Sequence, residues 1–124
     1  MKNALTLSLA TLSMLVACAS PYASPTMNQM GVLTNPSGMT LYVFDKDAAG
    51  SGKSACNGEC AKKWPPLTAT ATDQASGDYA VLTRDDGSLQ WSYKGKPLYQ
   101  WSKDQKPGDM TGDGFNNAWH TAKP

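Results

Sequence analysis

Two echoing segments constrain this 124-residue chain more than any other feature. Tyr42-Val43-Phe44-Asp45-Lys46-Asp47 sets out a Tyr, one spacer, a second aromatic, two spacers and an Asp. Tyr99-Gln100-Trp101-Ser102-Lys103-Asp104 repeats that order without a gap. The match runs outward, with Gly38, Leu41 and Lys46 opposite Gly95, Leu98 and Lys103. Trp64 and Trp119 close the two copies at nearly the same distance. Recurrence at fixed spacing marks a duplicated supersecondary unit. The chain must therefore fold as two related pieces, not as one continuous pattern.

The residues around each signature predict short strands and tight turns. Met30 to Thr34, then Asn35-Pro36-Ser37-Gly38, then Met39 to Phe44 reads as strand, turn, strand, because Pro presets φ and Gly tolerates the angles needed to leave the turn. In the second of these strands Thr40, Tyr42 and Phe44 share one face while Leu41 and Val43 share the other, the pattern of an interior strand. Tyr79 to Thr83, an Asp-Gly turn at Asp86-Gly87, Ser88 to Tyr93, and a return through Lys94-Gly95 to Lys96 through Trp101 predict a three-strand meander. Glu59 to Trp64 predicts about one helical turn before Pro65-Pro66 stops it, and Phe115 to His120 a second short helix carrying Trp119. The expected fold class is mainly β: a small antiparallel sheet domain built from two pseudo-repeated β-hairpin units with short helical turns. Repeat 1 spans about 31–67 and repeat 2 about 88–120 within a domain over 30–124.

The N-terminus reads as a targeting segment. Lys2 precedes a short apolar run, Ala4 to Ala17, which has the length of a secretory h-region and is too short for a permanent span. It ends in Leu15-Val16-Ala17-Cys18, small residues before a cysteine, similar to a bacterial lipobox. Residues 1–17 are the expected signal peptide, with Cys18 lipidated as the first residue of the mature chain; cleavage at a later small residue such as Ala23 is the alternative. Residues 18–29, rich in Ser, Ala and Pro, have the composition of a flexible tether. Ala19 is not Asp, which under Gram-negative sorting directs the anchor to the outer membrane.

Three cysteines in an exported chain require an explanation for the odd one. Lipid on Cys18 leaves Cys56 and Cys60, and an oxidising compartment favours a disulfide between them. So short a loop removes little chain entropy, worth about 2 kcal/mol. The formal charge of +1 falls to zero once Lys2 leaves. No basic run is present, so nucleic acid is not an expected partner.

Taken together, the lipobox, the two Tyr-x-(Phe/Trp)-x-x-Asp motifs, Cys56-x-x-x-Cys60-Ala61 before Trp64-Pro65-Pro66-Leu67, and Pro107-Gly108-Asp109 before a closing Trp119 resemble the bacterial "secreted repeat of unknown function" lipoproteins. The likeness covers about residues 31–120. It implies an exported, duplicated domain without an assigned biochemical role.

The candidate site residues admit contrasting roles. Tyr42, Phe44, Asp47, Tyr99, Trp101 and Asp104 form either a ligand platform or the glue between two hairpins, with Asp47 and Asp104 accepting backbone N–H groups. Duplication favours the structural role, since a repeat needs its interface twice. Asp109, Thr111, Asp113 and Gly114 begin like a calcium loop, but His120 occupies the place of the bidentate Glu, and a solvated turn is the simpler reading. Cys56, Cys60 and His120 could together bind Cu(I) or do thiol redox work, with Met27, Met30, Met39 and Met110 as further soft ligands. Against this, no alternation of strands and helices suggests a thioredoxin-like fold. No Gly-x-Ser-x-Gly and no isolated carboxylate pair point to hydrolysis. The expected function is a lipid-anchored envelope protein acting as a non-enzymatic binding or interaction module. No cofactor is expected, and its partners are the membrane, through the lipid, and an envelope ligand or protein. The alternative is the copper or thiol-redox protein.

Overall fold

The computed structural model describes residues 24–124. The signal peptide, Cys18 and residues 18–23 of the tether lie outside the described residues. Seven short strands, one short helix and a 3₁₀ turn are found among the described residues: β1 (Met27–Gln29), β2 (Val32–Thr34), β3 (Tyr42–Phe44), α1 (Glu59–Lys63), β4 (Tyr79–Thr83), β5 (Leu89–Tyr93), β6 (Lys96–Pro97), the 3₁₀ turn Phe115–Asn117, and β7 (Trp119–Thr121). Their pairings are antiparallel: β1 with β2, β3 with β7, and the meander β4-β5-β6. The chain is mainly β, with little helix.

Three features differ from the sequence expectation. Met27–Gln29, placed in the tether by composition, form β1 and pair with β2 in the register Met27↔Thr34 to Gln29↔Val32. Met30 and Gly31, both at positive φ, make the connecting turn. Trp119 belongs to strand β7 and not to a helix, because only Phe115–Asn117 coil and backbone pairing with β3 takes over after Ala118. Thr40 and Tyr99, expected within long strands, join their neighbours through isolated bridges, Thr40 with Thr34 and Tyr99 with both Tyr42 and Pro66.

The two pseudo-repeated hairpin units are present, and each is completed by a segment of the other. In the first unit Leu33 N–H donates to Ala122 O at 2.9 Å, Ala122 N–H to Leu41 O at 2.8 Å, and Leu41 N–H to Leu33 O at 2.9 Å. In the second unit Trp91 N–H donates to Leu67 O at 2.8 Å, Leu67 N–H to Leu98 O at 2.9 Å, and Leu98 N–H to Trp91 O at 3.0 Å. The two rings of hydrogen bonds correspond residue for residue. Each is closed by a segment from the other copy: Ala122 comes after Trp119, and Leu67 after Trp64. The same crossing recurs where Asp45 N–H meets Ala118 O and Ser102 N–H meets Lys63 O. Each repeat thus hands its closing strand to its twin.

Between the two units, Tyr42 and Tyr99 exchange both backbone bonds, at 2.8 and 3.0 Å. This pair sits on the pseudo-two-fold axis. Strand alternation then sorts side chains into two layers. Tyr42, Phe44, Tyr99 and Trp101 join Trp64, Trp119 and Cys56 in an aromatic cluster. Leu33, Leu41, Leu67, Trp91, Leu98 and Ala122 form a second, mainly aliphatic cluster, with Val43 packed against it.

Helix α1 owes its limits to its ends. Glu59 lies in its first turn and Lys62 and Lys63 in its last, matching the helix dipole. Pro65 and Pro66 forbid continuation, and the chain turns extended to enter the second unit.

Candidate functional site

The repeated signature is interior. Tyr42 and Tyr99 are 0 % exposed, and Phe44 and Trp101 are also buried. Four rings form a column in the order Phe44, Trp119, Trp64, Trp101. Successive centroids lie 4.1, 3.9 and 4.0 Å apart, and the central Trp119–Trp64 pair is parallel to within 2°. Tyr42 meets Trp64 edge-on at 5.3 Å, and Tyr99 meets Trp119 edge-on at 5.0 Å. The pseudo-axis passes between the two central indoles, so each tryptophan stacks on the signature ring of the other copy.

The carboxylates are crossed in the same way. Tyr42 OH donates to Asp104 Oδ2 and Tyr99 OH to Asp47 Oδ2, both at 2.6 Å. The remaining oxygens hold the loops behind them. Asp47 Oδ1 accepts Ala55 N–H at 2.6 Å, and Asp104 Oδ1 accepts Thr111 N–H at 3.0 Å and its hydroxyl at 2.6 Å. Burial, reinforced by the Asp104 hydrogen bond, pushes the Tyr42 phenol well above its usual range. Burial and then Asp47 push Tyr99 up as well, with Ser54 pulling the other way. One approach is unusually close: a Cβ on Gly112 would lie 2.7 Å from Trp64 Cη2 and 3.0 Å from Trp101 Cδ1.

Nothing in the local sequence marks Arg84, which opens the acidic Asp85-Asp86-Gly87 turn. It is buried. Its Nη1 donates to Ser54 Oγ at 3.0 Å and Gln90 Oε1 at 2.7 Å, and its Nη2 to Cys56 O at 2.5 Å. Ser54 Oγ lies 2.6 Å from Tyr99 OH, so donors run from Arg84 through Ser54 and Tyr99 to Asp47. The cation thereby stabilises the buried Asp47 carboxylate through a polarised chain. Among the described residues the Tyr42–Asp104 side has no equivalent cation; there Gly112 N–H reaches Tyr42 OH at 3.3 Å.

The remaining candidates do not converge. Cys56 and Cys60 are joined in a disulfide with Cα atoms 5.2 Å apart. His120 lies on β7 with Nε2 2.8 Å from Asp45 Oδ2, half exposed. Among the described residues no group of three or more His, Cys, Asp or Glu is placed to hold a metal ion. Asp109 Oδ2 accepts Gln105 and Lys106 N–H, while Asp113 Oδ1 accepts Thr121 N–H, so the calcium-like run pins separate loops.

A groove opens on the far side of the aliphatic cluster. Its volume is about 670 Å³, within the usual range for small-molecule sites. Leu33 and Trp91 form part of its floor, Tyr79 and Tyr93 flank it, and Asp73 and Asp78 stand among its polar walls. The Tyr79 ring lies 4.9 Å from Tyr93 at 45° and 6.4 Å from Trp91 at 88°. Thr26 Oγ1 hydrogen-bonds Tyr79 OH, which ties the N-terminal arm to this wall. The alternation along β5 places Trp91 and Tyr93 on one strand face, but nothing in it marks a cavity there.

A family model described as a secreted repeat of unknown function matches residues 27–68 and 80–123. The chain belongs to this family. Each match holds one Tyr-x-aromatic-x-x-Asp signature and one closing Trp, and runs on through the strand given to the other unit. The sequence repeat and the spatial unit are therefore different segments. The family is an exported one, and among the described residues no helix is long and apolar enough to cross a membrane. No curated protein and no solved structure matches the chain.

Proposed function

We propose that this protein is a lipid-anchored binding module of the cell envelope, without a catalytic role. Cys18 carries the lipid in the outer membrane, and the ligand enters the groove beside Tyr79, Trp91 and Tyr93. The observation that carries this reading is the contrast between the two sets of rings. Tyr42 and Tyr99 are wholly enclosed by their own repeat interface, and Phe44 and Trp101 are more than nine-tenths buried in it. Tyr79 and Tyr93 are only partly covered, and they border a cavity of ligand size. Aromatic walls with a few polar groups are the usual make-up of a small-molecule site.

A binding role fits the chemistry of the walls. Among the described residues no His or Cys lines the groove, and Asp73 Oδ2 already accepts Thr70 N–H at 2.7 Å. No nucleophile paired with a base stands there. No observation favours the copper or thiol-redox reading, since both sulfurs are joined to each other. The tether also fits: Thr26, in the groove wall, is eight residues beyond Cys18, so an extended tether would keep the groove within about 28 Å of the lipid.

Two measurements test this reading. Intact mass of the membrane-extracted protein should correspond to a chain starting at Cys18 plus a diacylglyceryl group, and Cys18→Ser should release the protein from membranes. An intact mass without acyl groups on Cys18 removes the anchor. Tyr93→Ala should abolish retention on envelope fractions (peptidoglycan and outer-membrane vesicles) at a temperature where circular dichroism shows the variant still folded, the loss of its packing against the aliphatic cluster lowering the unfolding midpoint. Equal retention removes the groove.

A further inference from the structure

We infer that the groove takes an alkylammonium group, an inference that rests on the groove being the binding site. The charge pattern is its first support. The chain as a whole is balanced, with 11 Lys and Arg against 10 Asp and Glu. The groove walls are not balanced: Asp73 and Asp78 line them, and among the described residues no Lys, Arg or His does. Among the described residues neither carboxylate has a salt-bridge partner. A cavity with this imbalance selects for cationic ligands and against anionic ones.

The rings are the second support. Trp91 meets Tyr79 edge to face, and Tyr93 is tilted 45° from Tyr79 with its centroid 4.9 Å away. Aromatic faces carry negative potential, and the partly exposed faces of Tyr79 and Tyr93 on the groove wall attract a quaternary or primary ammonium without needing directed acceptors. The Tyr93 ring already holds one such group, since Lys94 Nζ lies 5.3 Å from its centroid. Lys94 itself is not among the residues lining the groove. The volume exceeds that of a bare ammonium, and apolar Leu33 and Pro25 are available to the rest of the molecule. A lipid headgroup and a free organic amine share this chemistry.

The test uses the full chain in a non-ionic polyoxyethylene detergent, with the assigned Trp91 indole N–H and Tyr93 ring chemical shifts as readouts. The probes are choline, its uncharged isostere 3,3-dimethyl-1-butanol, glycerophosphocholine and chitotriose. Choline should bind at least about ten-fold more tightly than the isostere. Asp73→Asn with Asp78→Asn should weaken it by about ten-fold while circular dichroism stays unchanged, because the amide oxygen introduced by Asp73→Asn still accepts the Thr70 N–H. Tighter binding of glycerophosphocholine than of choline identifies a headgroup, and the reverse identifies a soluble amine; either supports the inference. Equal affinity for choline and the isostere, or choline binding unmoved by the paired Asp→Asn change, overturns it. Chitotriose binding alone, lost in Tyr93→Ala, overturns the ammonium class and leaves the groove as the site. If no probe perturbs Trp91 or Tyr93 the inference fails, and the groove fails with it only if Tyr93→Ala also retains envelope binding.

Discussion

Crossed Tyr–Asp pairs make a quantitative claim about which residues are coupled. Tyr42→Phe removes one oxygen and leaves Asp104, which is almost wholly buried, with only the two Thr111 donors. A hydrogen bond to a charged group contributes about 1.5–3 kcal/mol, so a loss of about 2 kcal/mol is expected. Tyr99→Phe should cost more, about 3 kcal/mol, because Ser54 also loses a partner and the chain from Arg84 to Asp47 is cut. For a domain of this size about 2 kcal/mol corresponds to a fall in Tm of about 8–16 °C. Urea titration followed by tryptophan fluorescence at pH 7 measures both, and the m-value should not change. The decisive comparison is a pair of double-mutant cycles. Tyr42→Phe should couple to Asp104→Asn by at least about 0.5 kcal/mol and be additive with Asp47→Asn, although Asp47 is its near neighbour in sequence. Coupling to Asp47 in place of Asp104, or costs below about 0.5 kcal/mol for both phenylalanines, refutes the crossed arrangement.

Other outcomes rest on the same geometry. Tyr42 and Tyr99 have raised pKa values in the folded state, so their contribution is complete below about pH 10 and declines as pH climbs toward those raised values. Stability should then fall by about 1.4 kcal/mol per pH unit for each tyrosine, and each Phe variant should remove its share of that slope in urea midpoints taken between about pH 8 and 11.5. Gly112→Ala would push a methyl into Trp64 and Trp101 and should destabilise by about 1–3 kcal/mol by thermal unfolding, whereas Gly108→Ala, with open space around it, should be limited to the cost of its positive φ. Fragments 24–68 and 80–124 should each lack a cooperative transition alone and regain one when mixed, because each lacks its closing strand; an independently folding fragment would exclude strand exchange.

Much of the fold was legible where local pattern governs it. The alternation at Leu41-Tyr42-Val43-Phe44 correctly assigned one face to aromatics and the other to aliphatics, since side chains on a strand must alternate. The Asp86-Gly87 and Lys94-Gly95 turns placed the meander, and Pro65-Pro66 ended α1, because φ preferences act within a few residues. Trp119 was misplaced on a helix because the pairing that makes β7 a strand comes from β3, far away in sequence. The burial of Arg84 is not legible in its own segment because its acceptors are contributed by Ser54, Cys56, Asn57 and Gln90.

By itself the amino-acid order established the duplication, the turns, the two-faced strands and the spacing of Cys56 and Cys60, all set by sterics and periodicity along the backbone. Only the tertiary structure decided that the copies exchange closing strands, that each tyrosine serves the other copy's aspartate, and that a groove forms beside Tyr79 and Tyr93. Those outcomes rest on hydrogen bonds and ring contacts between residues far apart in the chain or on empty space between folded segments. Neither leaves a mark in the local sequence.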